Sequence, residues 1–140
     1  MEFFIVGRNP NQRVLALAGR PGVHVTGAVP DIRIYLKHAR AVVTPLRIAR
    51  GIQNKVLEAL AMGKSVLASS AVCRTFGSDI PLGMIACDSE QAYLQHLSTD
   101  SWIADAPAIR QALLRRFDWS TNLQVLCHAV ADAAAMKSRV

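Results

Sequence analysis

Residues 51–69 read GIQNKVLEALAMGKSVLAS, and how this stretch is parsed decides the fold. Up to Gly63 it is a helical pattern, with Val56, Leu57, Ala59, Leu60 and Ala61 crowding apolar positions around the lone acid Glu58. Gly63 follows where a helix C-cap belongs. The next run, SVLAS (65–69), is near-continuously apolar, as a strand covered on both faces must be. Helix, glycine stop and buried strand form the second half of a βαβ unit, and the rest of the chain repeats the alternation. Further strand-like runs are FFIVG (3–7), VHVTGAV (23–29), AVVTPL (41–46) and GMIACD (83–88). Helical patterns lie between them in NQRVLALAG and DIRIYLKHA, and SEQAYLQHLS follows the last strand. Asn11, Asp31 and Ser89 stand at N-cap positions, and Gly19 at a C-cap position. The pattern predicts an α/β fold, a Rossmann-like doubly wound parallel sheet. Two further helical patterns follow, broken at Trp119-Ser120, with Ser120 or Thr121 expected as the second cap.

The 140 residues suffice for one domain with a real core, and residues 1–140 are read as a single domain. A 51% hydrophobic and 19% charged composition is globular. Sixteen Lys+Arg against ten Asp+Glu give a net charge of +6, which points to an anionic partner: nucleic acid, an acidic membrane face or a phosphorylated small molecule. No run approaches the roughly 20 apolar residues of a membrane span, and the opening MEFFIVG lacks the features of a signal peptide. A cytoplasmic location is therefore expected. Cys73, Cys87 and Cys127 show no metal-ligand spacing and read as buried free thiols.

In open parallel sheets, ligands bind beyond the carboxyl ends of the strands, where helix N-termini also point. AVVTPL ends in such a place, followed by RIARG and a helix expected to begin near Gly51. Gly51 lets a ligand approach the amides of Ile52, Gln53 and Asn54, which with the helix dipole make an anion site. Arg47, Arg50 and Lys55 surround it with positive charge, although a bare helix start repels cations. A diphosphate fits this arrangement. Glu58 lies four residues after Asn54 on the same face, placed to accept hydrogen bonds from a vicinal diol such as a ribose. The plainer reading is a carboxylate that is solvated or paired with Lys55, worth a few tenths of a kcal/mol.

Other turns carry weaker signals. GRNPNQ (7–12) offers Gly7 and Arg8 beyond the first strand but lacks the glycines of a dinucleotide fingerprint. TGAVPD (26–31) ends the second strand with main chain near Val29 that suits a flat base edge, and is equally a plain βα turn. His24, His38, His96 and His128 are scattered and read as structural or surface residues, and Arg115-Arg116 as a solvated face.

GIQNKVLEALAMGKSVLAS resembles the donor-site motif of GT-B glycosyltransferases of the family-4 retaining group, in which a Glu-x7-Glu pattern precedes an LEAMAxGxPVVAS-like run. The likeness covers the whole chain as the C-terminal, donor-binding domain. PLRIARGIQNKVLEA in particular resembles sugar transferases of exosortase (PEP-CTERM) exopolysaccharide systems. The resemblance implies a UDP- or GDP-sugar as donor substrate and no essential metal or other cofactor; no nucleic-acid partner is expected. It gives Glu58 the role of holding the ribose hydroxyls, and Gly51 and Ile52 that of meeting the diphosphate. Gly7, Arg8, Val29, Arg47, Gln53, Asn54 and Lys55 complete the expected donor site. The first Glu of the motif falls at Arg50, the candidate for a catalytic position, able to meet a phosphate or an acidic sugar. Ser65 stands where the motif has proline.

Because the chain opens in strand residues, it is expected to be the C-terminal part of a larger protein. An N-terminal acceptor-binding domain would be its partner, with peripheral association at the inner membrane face, and the isolated chain is expected to be inactive. The alternative is a non-catalytic binding or partner domain that has lost donor chemistry through Arg50. A receiver-like signalling domain needs clustered acids at the strand ends, where this chain has Arg8, Pro45 and Arg47. A nucleic-acid module would want exposed aromatics among its basic residues, and only 6% of residues are aromatic.

Overall fold

A computed structural model describes residues 1–100 and 103–137. The chain divides into two compact units, Met1–His38 and Ala39–Val140. Both are α/β with parallel strands, as the alternation predicts.

In the first unit, β1 (Phe3–Val6) pairs in parallel with β2 (Val23–Gly27), with a register irregularity between Ile5 and Val6. They are joined through α1 (Gln12–Leu15) and a 3-10 turn (Ala16–Gly19), and α2 (Arg33–His38) follows β2. Asn11 caps α1 as expected, accepting from the Val14 N–H at 2.9 Å. Gly19 does not take the helix-stopping role: it ends the 3-10 turn, and the left-handed glycine is Gly22, with φ 75°. Asp31 accepts from the Arg33 N–H at 2.9 Å, forming a turn just ahead of α2. Phe3 and Phe4 are largely exposed rather than covered on both faces, because β1 is an edge strand in a two-stranded ladder. Phe4 stacks on His24, which pairs with Glu2, so this histidine is a surface residue with a partner.

The second unit is built on β3 (Val42–Thr44), β4 (Val66–Ala68) and β5 (Met84–Ala86), in that order. These strands are shorter than their apolar runs. Pro45 cannot donate to a ladder and stands just beyond the end of β3. The register aligns Thr44 with Ala68 and Ala68 with Ala86, so the three carboxyl ends finish level. β4, the central strand, is buried throughout.

The connection from β3 to β4 is α3 (Asn54–Ala61), which buries Val56, Ala59 and Leu60 and packs on α6 (Ala106–Phe117), whose own buried residues are Ile109 and Leu113. From β4 to β5 the chain makes a single helical turn, α4 (Ser70–Cys73), and a 3-10 turn (Arg74–Phe76). Ser89 caps α5 (Glu90–Leu97), accepting from the Ala92 N–H at 3.2 Å. The final helix, α7 (Trp119–Lys137), starts directly after Asp118, so Ser120 and Thr121 lie inside it rather than capping it. Asp118 accounts for this, because its carbonyl accepts the Asn122 N–H and its carboxylate the Ser120 hydroxyl.

Two side chains behave differently from their sequence reading. Arg116 is no solvated residue: its guanidinium donates to the carbonyls of Phe76 and Asp79, fastening the turn after α4 to α6. Cys127 is exposed, whereas Cys73 and Cys87 are buried as expected.

Ser65 is 1% exposed, and its hydroxyl accepts the Ala104 N–H at 3.2 Å, tying the approach to β4 to the segment ahead of α6. Ser65→Ala leaves that amide without its acceptor. A loss of about 1–2 kcal/mol in urea unfolding is expected, and an unchanged midpoint would show that the bond contributes nothing.

Candidate functional site

Beyond the level ends of β3, β4 and β5 lies a cavity of about 420 Å³. Pro45, Leu46 and Arg47 line it after β3, Ser69 and Ser70 after β4, and Cys87 and Asp88 after β5. Arg74 and Tyr93 close it from the turn after α4 and from α5. Its scaffold is fixed by hydrogen bonds. The Ser69 hydroxyl donates to the Leu46 carbonyl at 2.5 Å, bridging the first two strand exits. Asp88 accepts both the Ser70 N–H, at 2.8 Å, and the Ser70 hydroxyl, bridging the second and third.

The hydrogen bond from the Ser70 hydroxyl, reinforced by that from its N–H, holds the Asp88 carboxyl below its usual range, so it is ionised at neutral pH. Burial pushes the Tyr93 phenol up to about 12, and its hydroxyl oxygen is buried with no hydrogen-bond partner. Burial also raises the Cys87 thiol, which makes it a poor nucleophile. A neighbouring hollow of about 400 Å³ shares Arg47 and Arg74 with the cavity.

The predicted anion site stands at the start of α3. The helix begins at Asn54 rather than near Gly51, with Gln53 as an N-cap residue that makes no side-chain capping bond. Residues 51–53 contain no Ser, Thr, Asp or Asn to supply a cap, and the first turn holds no acid. Instead the Gln53 side chain donates back to the Gly51 carbonyl at 3.0 Å, shaping the approach. The amides at the first helical positions, Asn54 and Lys55, therefore point out of the helix without an intrahelical acceptor. Gly51 takes φ 69°, and a Cβ built there meets nothing within 4 Å, so the approach to the helix is open at Gly51 itself.

Arg47, Arg50, Gly51, Ile52, Asn54, Lys55 and Glu58 are all exposed, and Gln53 is partly so. Glu58 lies on the solvent side of α3, opposite Val56, Ala59 and Leu60, and forms no ion pair with Lys55 among the described residues. Of this group Arg47 alone lines the cavity. Gly7, Arg8 and Val29 belong to the first unit, the first two just after β1 and Val29 after β2.

The cavity residues Ser69, Ser70, Arg74, Asp88 and Tyr93 were not singled out from sequence. The available signal was the rule of carboxyl-end binding applied to every strand: SS after SVLA and CDS after GMIA place polar groups at those exits.

Comparison with curated protein sequences finds no match. Among solved structures, the chain is similar to the crystal structure of Anabaena Alr3699/HepE in complex with UDP, at 17% identity and a TM-score of 0.73. That alignment covers 94% of this chain and 41% of HepE, so the chain spans less than half of that protein's length. The likeness shows a shared fold. Residues 1–99 match the model of the family described as glycosyl transferases group 1. With most of the chain inside that match, the protein belongs to the group 1 glycosyl transferases.

Proposed function

We propose that the chain is the donor-binding half of a retaining glycosyltransferase that takes its sugar from a nucleoside diphosphate. The uncapped start of α3 carries this reading, with Arg47 and Arg50 exposed in the segment that leads to it, Lys55 exposed in its first turn, and Glu58 exposed on the same helix. In it the diphosphate sits against the Asn54 and Lys55 amides, where the helix dipole and the cations stabilise negative charge as it develops on the leaving group. Glu58 holds the two ribose hydroxyls, while Gly51, Ile52 and Gln53 line the approach. UDP in the crystal structure of HepE, a protein of the same fold, supports a uridine donor, with guanosine as the alternative.

In this reading turnover requires an acceptor-binding domain, and the 140 residues alone hydrolyse or transfer no sugar. The likeness of residues 45–59 to exosortase-associated sugar transferases supports a role in exopolysaccharide synthesis at the inner membrane face.

The test is an amide NMR titration with UDP, GDP and ADP in turn, repeated on Glu58→Ala. Shifts centred on residues 51–58 with one nucleotide are expected, with affinity roughly tenfold weaker in the variant, the loss of a charge-assisted hydrogen-bond pair. Absence of shifts with all three nucleotides overturns the reading.

A further inference from the structure

We propose that the cavity beyond β3, β4 and β5 binds an acidic monosaccharide, with its carboxylate between Arg47 and Arg74 and a ring hydroxyl on Tyr93. The proposal rests on the donor reading above and deepens it by giving the transferred sugar a class, a uronic acid.

Size and chemistry both select this ligand. At about 420 Å³ the cavity has room for one pyranose ring and some water rather than for a whole nucleotide sugar. Leu46 and Pro45 offer an apolar surface for the C–H face of a ring. The polar groups of the wall are not equally available. Ser69 and Ser70 spend their hydroxyls on the Leu46 carbonyl and on Asp88, and Asp88 accepts twice from Ser70. Arg47 and Arg74 enter no salt bridge among the described residues, and the Tyr93 hydroxyl is buried without a partner. A buried hydroxyl left unsatisfied in this way costs free energy unless a ligand supplies the partner. Because the phenol stays protonated at neutral pH, it is able both to donate to and accept from a sugar hydroxyl.

Charge then decides between anions. The wall carries two guanidinium groups and the ionised Asp88, a net charge of +1 from +2 and −1. That complements a carboxylate, which arginine binds in a two-pronged geometry. A phosphate dianion would leave excess negative charge beside Asp88. The start of α3, which has no acid in its first turn, suits the diphosphate better.

The experiment compares D-glucuronate, D-glucose and inorganic phosphate by amide NMR on the whole chain, then UDP-glucuronate against UDP-glucose by calorimetry. Glucuronate alone is expected to shift the amides of Arg74 and Tyr93. UDP-glucuronate is expected to bind roughly tenfold more tightly than UDP-glucose. Arg74→Gln, a change at an exposed position, abolishes that preference, and Tyr93→Phe weakens both sugars a few-fold.

Equal affinity for the two nucleotide sugars, or a loss in Arg74→Gln that is the same for both, overturns the proposal. So does a response to phosphate as strong as that to glucuronate. Failure of the donor reading looks different: UDP then leaves residues 51–58 unshifted while free glucuronate still reports on the cavity.

Discussion

Gly63→Ala is expected to lower the stability of the second unit by about 2–4 kcal/mol, roughly 10–20 °C in melting temperature. Two effects add at this position. Gly63 has φ 69°, and it ends α3 with the paired bonds of a left-handed stop: its own N–H donates to the Leu60 carbonyl at 2.8 Å, and that of Lys64 to the Ala59 carbonyl at 2.9 Å. A Cβ there would lie 2.7 Å from the Ala106 Cβ, 3.0 Å from its carbonyl oxygen and 3.1 Å from its Cα. Two of those three atoms are main chain at the start of α6, so no rotamer change relieves the contact. The helix must back away, loosening the packing of Ile109 and Leu113. Gly51→Ala is the internal control, with the same φ of 69° and nothing within 4 Å, so its cost is conformational strain alone, about 1 kcal/mol. Equal melting temperatures for the two variants would refute the claim that α6 presses on Gly63.

The helix stop at Gly63 was legible in the sequence because it is local: a glycine following a helical pattern specifies its own conformation. Asn11 and Ser89 were legible for the same reason, since each cap bonds an amide three residues ahead. Elements made by distant partners were not. α4 is one turn long, and its first residue is held by Asp88, eighteen positions away at the exit of another strand. Arg116 looks like any arginine near a helix end until the carbonyls of Phe76 and Asp79 arrive beside it through the fold. Helix α7 began earlier than expected because the cap turned out to be Asp118, not the two hydroxyl residues that follow it.

The same division runs through the site. The start of α3 is written in consecutive residues: a glycine, cations and an absent cap. The cavity exists because strand register brings Thr44, Ala68 and Ala86 level, and no short motif contains that information. Tyr93 illustrates the difficulty. In SEQAYLQHLS it reads as an apolar position of α5, and the meaning of its hydroxyl appears only when the oxygen is found buried and unpaired.

Ile109→Ala is expected to cost about 3–5 kcal/mol, toward the upper end for removing a buried isoleucine side chain. The residue is 0% exposed, and its Cδ1 and Cγ1 would lie 2.8 and 2.9 Å from a Cβ at Gly83, so it rests against the backbone leading into β5. Main chain does not collapse into the space left behind, which is why the cavity cost is high. Leu114→Ala on the same helix removes a side chain that is 62% exposed and is expected to change stability by less than about 0.5 kcal/mol. Gly83→Ala alone is destabilising both for want of room and because Gly83 takes φ 90°, and in the Ile109→Ala background the new methyl occupies part of the vacated space, which relieves the first cost and leaves the second. Urea unfolding of both single variants and the double variant should give a coupling of at least about 1 kcal/mol, and additivity within about 0.5 kcal/mol would refute the contact. The outcome bears on the site as well. The Gly83 carbonyl accepts the Val66 N–H at 2.7 Å, at the opening of the β4–β5 ladder. Ile109 thus braces the start of the same register that aligns the strand exits, so its loss should also weaken ligand binding at a cavity it does not line.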